Sequence, residues 1–318
     1  MKTINQIAIE LLKFNKILIF CHIRPDGDTL GCAGALKLAF AKKGIKSDIV
    51  CDGAVPTKYS FLPVLRGVLA HSEVKEKYQA HLAVDVATEL LLGLSWGIFI
   101  GNDNRYVIDH HSSNSRYVKD CYISCAPAAC IPVFDLICQM GVEIDSDIDN
   151  CILLGIVTDT GNFSHNNADK IAFGYASKAL EYGADLNLIT LNLYKSQSKQ
   201  RVKLYLDVMN GMRFYEDDKI AIITVFKKQL EDLELTSDVT EDFVDYPLSV
   251  AGVEVAVSLL QTKEELFKVS FRSKGMADVN LIAEEFGGGG HKLASGCVVA
   301  GIYEEVIEKI IRAITINI

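Results

Sequence analysis

The nine cysteines of this 318-residue chain include no C-x-x-C pair, so the usual zinc spacing is missing. Cys121, Cys125 and Cys130 come nearest to it, and their gaps do not repeat. An odd number of cysteines at irregular spacings points to free thiols and a reducing cytoplasm. Cys130 and Cys138 share an expected helix face with Phe134 and read as small core hydrophobes. No secretory signal is expected, because Lys13, Asn15 and Lys16 interrupt the early apolar residues. The most apolar later stretch, Leu90 to Ile100, is too short to span a bilayer, so no membrane partner is expected. An excess of positive charge is also lacking: 32 basic residues against 41 acidic give a net charge of −9. That argues against a broad electrostatic footprint for long nucleic acid, and leaves short or small anionic substrates held by local positive groups. There is no long-period repeat and no low-complexity tract.

What the chain does have is chemistry at the ends of apolar runs. Ile17 to Cys21 has the length and β-branching of a buried strand, and it breaks into His22-Ile23-Arg24-Pro25-Asp26-Gly27-Asp28, where Pro and Gly force a loop. Leu82-Ala83-Val84 ends in Asp85, Tyr106-Val107-Ile108 ends in Asp109-His110-His111, and a fourth run ends at Asp159. In an open α/β sheet the carboxyl ends of the strands share one edge, where such sheets place their sites. A lone Asp in such a place is more often a turn former or helix cap, and a lone His pair carries little weight. Several clusters of metal-ligand type, each at the end of a separate run, are hard to obtain as caps.

Four carboxylates gathered in one place repel one another and would be driven to protonate unless cations were present. Asp26, Asp28, Asp85 and Asp159 balance two divalent cations, with His22 and His110 as neutral nitrogen ligands. A mixed shell without thiolate suits manganese or a similar borderline metal better than calcium. The expectation is a two-metal hydrolytic site.

At 318 residues with 49% hydrophobic content, two domains are the default. The fold class expected is α/β: an N-terminal parallel-sheet domain, residues 1–186, and a smaller C-terminal α/β domain with a mixed sheet, residues 212–318, the active-site cleft lying between them. A helix near 5–14, a strand at 17–21, a helix at 29–42 closed by Gly44 and a strand at 47–51 make the opening βαβ unit. Helical patterns follow at 127–140, 147–157 and 170–182. Residues 187–211 read as a helical linker, because 188–209 lacks Pro and Gly. Beyond it, 220–225, 253–260 and 267–272 read as strands, with a hairpin turn at 262–265.

The second domain carries Gly287-Gly288-Gly289-Gly290-His291-Lys292 between an expected helix ending near Phe286 and an expected strand after Ser295. A glycine run alone reads best as a flexible turn. With Arg272 and Ser273 at a strand end, and His291 and Lys292 following, it reads as a phosphate or carboxylate pocket, since backbone N–H groups can wrap an anion and guanidinium binds phosphate bidentately. The spacing is neither that of a P-loop nor that of a dinucleotide fingerprint.

Taken together, HIRPDGDTLG from His22, DVAT from Asp85, IDHH ending at His111, GIVTDTGNF around Asp159, and FRSKG with FGGGGHKLASG at 271–297 resemble the DHH phosphoesterases with a C-terminal DHH-associated domain. The stretches span nearly the whole chain in the family's order. Size and layout are most similar to the group that degrades very short RNA and dephosphorylates 3′-phosphoadenosine-5′-phosphate. The resemblance implies that His22, Asp26 and Asp85 hold one manganese ion and that Asp28, Asp85, His110 and Asp159 hold a second, with Asp85 bridging. It implies that His111 faces the scissile phosphate and Asp109 orients the His pair. Arg272, Ser273, Gly288, Gly289, Gly290 and His291 would bind a nucleotide's terminal phosphate. The chain departs from relatives at Leu90-Leu91-Leu92, where an Arg is common, and at Cys32, Asp135 and Asn162, where Ser, Glu and Arg are common; these positions bear on substrate choice. Expected partners are short RNA oligonucleotides or small phosphorylated nucleotides, and a homodimer is compatible with the reading. Linear or cyclic dinucleotides, pyrophosphate or polyphosphate are alternative substrates, and a non-catalytic nucleotide-binding module is the reading from another class.

Overall fold

The structure, a computed structural model, describes residues 2–240 and 242–317, so the outermost limits of the two expected domains fall outside it. The chain divides between Ser196 and Gln197 into two compact units. The first contains α1 (Ile4–Leu11), β1 (Lys16–Phe20), α2 (Gly27–Lys42), β2 (Lys46–Cys51), β3 (Leu69–Ala70), β4 (Ala80–Val84), α3 (Trp96–Phe99), β5 (Arg105–Asp109), β6 (Asp120–Ile123), α4 (Cys130–Gln139), α5 (Ser146–Asp159), α6 (Lys170–Glu181) and α7 (Leu186–Tyr194). Its six strands run in the order β3-β2-β1-β4-β5-β6 and every pairing is parallel. Ile17 and Ile19 enter the core on one face, while Leu18 and Phe20 enter that on the other. Burial on both faces is why β1 reads as an unbroken apolar run instead of an alternating one.

The strand order reverses at β1 and β4, which lie side by side, and open α/β sheets bind ligands at the carboxyl ends of the strands flanking such a reversal. His22 follows β1 and Asp85 follows β4, one on each side. Two local details differ from expectation. Helix α2 starts at Gly27, not Thr29, because Asp26 takes the N-cap and accepts from Asp28 N at 3.0 Å and Thr29 N at 3.1 Å. Cys130 is buried, but Cys138 is exposed. Eight residues at 100° each bring position 138 about 80° around the helix from position 130, far enough to leave the core stripe.

The second unit holds α8 (Lys199–Asn210), β7 (Arg213–Tyr215), β8 (Ile220–Val225), α9 (Lys227–Asp232), α10 (Asp245–Ser249), β9 (Val255–Lys263), β10 (Leu266–Ser273), α11 (Val279–Glu285), β11 (Gly289–His291), β12 (Ala294–Ala300) and α12 (Tyr303–Ile316). The sheet order is β11-β12-β10-β9-β8-β7, mixed because β8 and β9 pair in parallel while their neighbours are antiparallel. Phe267, Val269 and Phe271 of β10 pack with Ile282 of α11 and Ile310 of α12 in its core. The stretch read as a helical linker holds two helices, α7 and α8. Ser198 ends any continuity by capping α8, its side chain accepting from Arg201 N at 3.1 Å.

The glycine run is not a loose loop. Gly289 to His291 form the edge strand β11, paired with β12 through Gly289↔Gly296, Gly290↔Ser295 and His291↔Ala294. A side chain at Gly288 would put its Cβ 2.2 Å from the Gly296 carbonyl oxygen, and Gly290 sits at φ 154° with the Ala294 oxygen 2.6 Å from where a Cβ would be. Close backbone approach therefore requires glycine there. Among the described residues no helix is long and apolar enough to cross a membrane.

One buried group works against the first unit. Asp149 in α5 is fully buried, and neither carboxylate oxygen has a hydrogen-bond partner. Burial, with Asp145 nearby, pushes its carboxyl up to about 7. A carboxyl whose pKa is higher folded than unfolded favours the fold at low pH, and that contribution is lost as pH rises through the folded value. Asp149→Asn removes the group that must ionise in the interior and should therefore raise stability at pH 8 by a few kcal/mol, one pKa unit being worth about 1.4 kcal/mol, and change it little at pH 4. Thermal unfolding of both proteins at the two pH values would show this; equal gaps at pH 4 and 8 would contradict it.

Candidate metal centre

Four separate segments deliver the carboxylates and imidazoles. Asp28 lies in the first turn of α2, 1% exposed, and its Oδ2 and Oδ1 accept from the backbone N–H of Ala129 (2.5 Å) and Cys130 (2.9 Å) at the start of α4. Orphan amides at a helix N-terminus suit a carboxylate. Asp85 follows β4 at φ 58°, a left-handed conformation strained for a residue with a side chain. It is 3% exposed, and its Oδ1 has no hydrogen-bond partner. Asp159 is the last residue of helix α5, so the fourth cluster comes from a helix end and not from a strand.

The histidines close the cluster. His22 Nε2 lies 3.6 Å from Asp26 Oδ1 and 3.5 Å from Asp85 Oδ2. His110 Nε2 faces three carboxylates: Asp85 Oδ1 at 3.5 Å, Asp159 Oδ2 at 3.9 Å and Asp28 Oδ2 at 4.0 Å. On both rings Nδ1 meets a backbone carbonyl, Ile23 at 2.8 Å for His22 and Ala126 at 2.9 Å for His110. A carbonyl can only accept, so each Nδ1 carries a proton, and whenever the ring is neutral its Nε2 lone pair faces carboxylate oxygens. Lone pairs facing carboxylates are repulsive unless a positive charge lies between them.

The titration behaviour follows from the same crowding. Burial raises the Asp85 carboxyl, and Asp28 raises it further. Burial and Asp28 likewise push Asp159 up. Burial works against the His110 cation, yet Asp28, Asp85 and Asp159 overcome it and hold that imidazole above its usual range; Asp26 and Asp85 do the same for His22. The group lacks positive charge and recruits protons to supply it. His22, Asp26 and Asp85 offer three ligand atoms within 4.8 Å of one another, and Asp28, His110 and Asp159 offer another three. The unpartnered Asp85 oxygen, the oriented imidazole lone pairs and the excess negative charge together fit a metal centre.

His111 and Asp109 sit beside it. Asp109 is fully buried; its Oδ1 meets His111 Nδ1 at 2.8 Å and accepts from His110 N at 2.8 Å. Its Oδ2 accepts from Asn114 Nδ2 at 2.6 Å. Burial would raise this carboxyl, but the His111 contact outweighs it and the group stays below its ordinary value.

Several contributors escape a reading of the sequence. Asn114 clamps Asp109, and Asn167 donates to Asp159 Oδ2 at 3.2 Å. Cys32 Sγ lies 3.8 Å from Asp28 Oδ1 and 3.5 Å from Cys130 Sγ. Asn114 is legible only as a polar residue five after Asp109, and nothing marks Ala129 and Cys130 as amide donors.

In the second unit, Arg272 of β10 and His291 of β11 both register with Ala294 of β12. Opposed residues of antiparallel strands share a face, so the two flank a small alanine about 10 Å apart, two strand spacings. Arg272 Nε also lies 3.3 Å from Asp245 Oδ1, and its Nη1 donates to the Phe271 carbonyl at 3.0 Å. The Ser273 hydroxyl is committed internally: it donates to the Ala277 carbonyl at 2.8 Å and accepts from Gly275 N at 3.0 Å.

Residues 217–316 match the DHHA1 domain family. Over 319 aligned residues, covering 98% of this chain and 94% of the relative, the chain is 31% identical to the bifunctional oligoribonuclease and PAP phosphatase NrnA of Thermus thermophilus. It is 24% identical to the protein of that name from Bacillus subtilis, with 90% of each chain covered. Among solved structures, an exopolyphosphatase-related protein from Bacteroides fragilis superposes with a TM-score of 0.92 at 26% identity, covering 98% of this chain and 95% of the other.

Asp109 clusters with Asp85, His110 and His111, but its two oxygens are already engaged by the His111 ring, the His110 amide and Asn114. Asp109→Asn keeps its shape and removes the charge that holds the His111 ring through Nδ1 and the His110 backbone through its amide. Divalent-cation affinity should fall about 10–100-fold, as is usual when the support of a ligand is lost. Calorimetric titration with Mn2+ would measure this, and an unchanged affinity would reduce Asp109 to a space filler.

Proposed function

The chain belongs to the DHH phosphoesterases, and on that premise we propose that it hydrolyses very short oligoribonucleotides to mononucleotides and removes the 3′-phosphate of 3′-phosphoadenosine-5′-phosphate, using two divalent ions, manganese by preference. The observation that carries this reading is the buried, unpartnered Oδ1 of Asp85, with His110 Nε2 3.5 Å away and His22 on its other oxygen. In this reading His22, Asp26 and Asp85 would hold one ion, Asp28, Asp85, His110 and Asp159 would hold the other, and Asp85 would serve both. Such ions would supply an acidified water and positive charge for the phosphoryl oxygens.

The chain's own groups have distinct tasks in the proposal. His111, fixed through Nδ1 by Asp109, binds an oxygen of the scissile phosphate and offsets the charge that grows there. Asp28 keeps both its oxygens oriented by the amides of Ala129 and Cys130. In the second unit Arg272, His291 and the backbone of Gly288, Gly289 and Gly290 take a terminal phosphate, with Ser273 shaping the strand end through its internal bonds. Recognition of one terminal phosphate favours substrates of a few nucleotides, and the net charge of −9 disfavours long RNA.

Product release would be followed from an RNA dinucleotide, adenosine 3′,5′-bisphosphate, a twenty-nucleotide RNA, a cyclic dinucleotide and pyrophosphate. Turnover of the first two is expected in Mn2+ and lost on chelation. Asp85→Ala should exceed the about hundred- to thousandfold loss typical of a single transition-state donor, because every proposed ion loses a ligand. Equal rates on the dinucleotide and the twenty-mer would refute the short-substrate reading. Activity confined to the cyclic dinucleotide or pyrophosphate would keep the centre and change the substrate.

A further inference from the structure

Four residues beyond Asp159 begins an aromatic pair, Phe163 and Phe173, that the chemistry above does not use. The chain leaves α5 through Gly161, Asn162 and Phe163, three consecutive residues at positive φ (55°, 54° and 62°). A glycine adopts this freely, whereas a bulky aromatic residue there is an outlier that its surroundings must enforce. Thr160 enforces it: its Oγ1 donates to the Ile156 carbonyl at 2.6 Å and accepts from Phe163 N at 3.1 Å. Asn162 N donates to the Val157 carbonyl at 2.7 Å, and Ser164 N and His165 N both donate to the Thr160 carbonyl at 3.0 Å. The turn is thus tightly bonded and joined directly to Asp159, whose Oδ2 is held by Asn167 seven residues past the end of the helix turn at Thr160.

The constraint lays the Phe163 ring against that of Phe173 on α6, with centroids 5.0 Å apart and planes 24° from parallel. Phe163 is half-buried, but Phe173 is 54% exposed, because α6 packs into the core through Ala172, Ala176 and Ala179. A stacked pair with one ring in water contributes little to the core. Tied to Asp159 through the Thr160 turn, it has the chemistry of a nucleobase platform: bases stack on aromatic rings, and every base has a π-face. With a net charge of −9 the chain lacks a broad positive surface for RNA, so stacking adds attraction beyond a few local phosphate contacts.

We propose that Phe173, backed by Phe163, stacks against one base of a short RNA substrate and contributes to binding without reading base identity. This rests on the phosphoesterase reading and goes further by naming the contact for the base. Phe173→Ala should raise KM for an RNA dinucleotide about tenfold, within the range of one lost stack, with little change in kcat. The rise should appear with A, C, G or U, and Phe173→Trp should restore affinity. Wild-type protein given a dinucleotide with the stacked base removed should show the same rise, and the two changes together should give no more than either alone. An unchanged KM in Phe173→Ala, or a rise of equal size with and without the base, overturns the proposal.

A second readout separates the two readings. The chain contains a single tryptophan, Trp96, so the emission added by Phe173→Trp can be followed against wild type. Quenching by adenosine monophosphate but not by ribose 5-phosphate is expected, whether or not the protein turns over. If wild type cleaves no nucleotide substrate, the phosphoesterase reading falls and quenching alone decides the platform. If the added emission is not quenched, the platform falls while the phosphoesterase reading stands.

Discussion

Mutual repulsion among Asp26, Asp28, Asp85 and Asp159 is the constraint around which the first unit is arranged. Three of these carboxylates surround one imidazole nitrogen at 3.5–4.0 Å. Where such charges are packed away from water, either protons or cations must compensate them. The direction of the shifts at Asp85, Asp159, His22 and His110 shows the proton solution, reached when no cation is present. The proposed ions are the other solution, and they restore each group to the ionisation state that a ligand needs.

Much of the surrounding architecture serves to hold groups together that would otherwise separate. The amides at the start of α4 grip Asp28, Asn167 grips Asp159, and Asn114 grips Asp109. Helix α5 must come close to α2 for Asp159 to meet Asp28. Gly155 permits it: a Cβ there would stand 2.2 Å from Cys130 Sγ and 2.5 Å from Asp28 Oδ1. The thiol of Cys32 completes the packing behind Asp28. Smallness and hydrogen-bond donors thus matter as much around the centre as the ligands do within it.

The parts of this arrangement that are legible in sequence are those set by local physics. Strands β1, β4 and β5 are buried on both faces, which writes them as apolar runs, and parallel pairing puts their carboxyl ends on one edge. His22, Asp85, Asp109, His110 and His111 follow from that logic. The parts that are not legible depend on what meets what across the chain. The Ala129 and Cys130 amides act on a residue about a hundred positions earlier, and no side chain announces them. The glycine run is ambiguous for a similar reason: flexibility and close strand approach demand the same residue, and only the neighbouring β12 shows that approach is what counts. In the linker the helical pattern is legible but its break is not, because a lone serine cap is all that marks the start of α8.

The wide separation of the ligands along the chain also bears on how the first unit folds. They run from His22 to Asp159, and their meeting requires β1 to find β4, β4 to find β5, and α2 to pack on α5. Parallel pairings of this kind close long loops before any contact rewards them, which makes them slow. A cation has nothing to bind until those closures are complete, so its binding energy favours only the finished fold and draws the population toward it by mass action. The proposed metal centre would then double as the last stone of the arch, set only when every span is already standing.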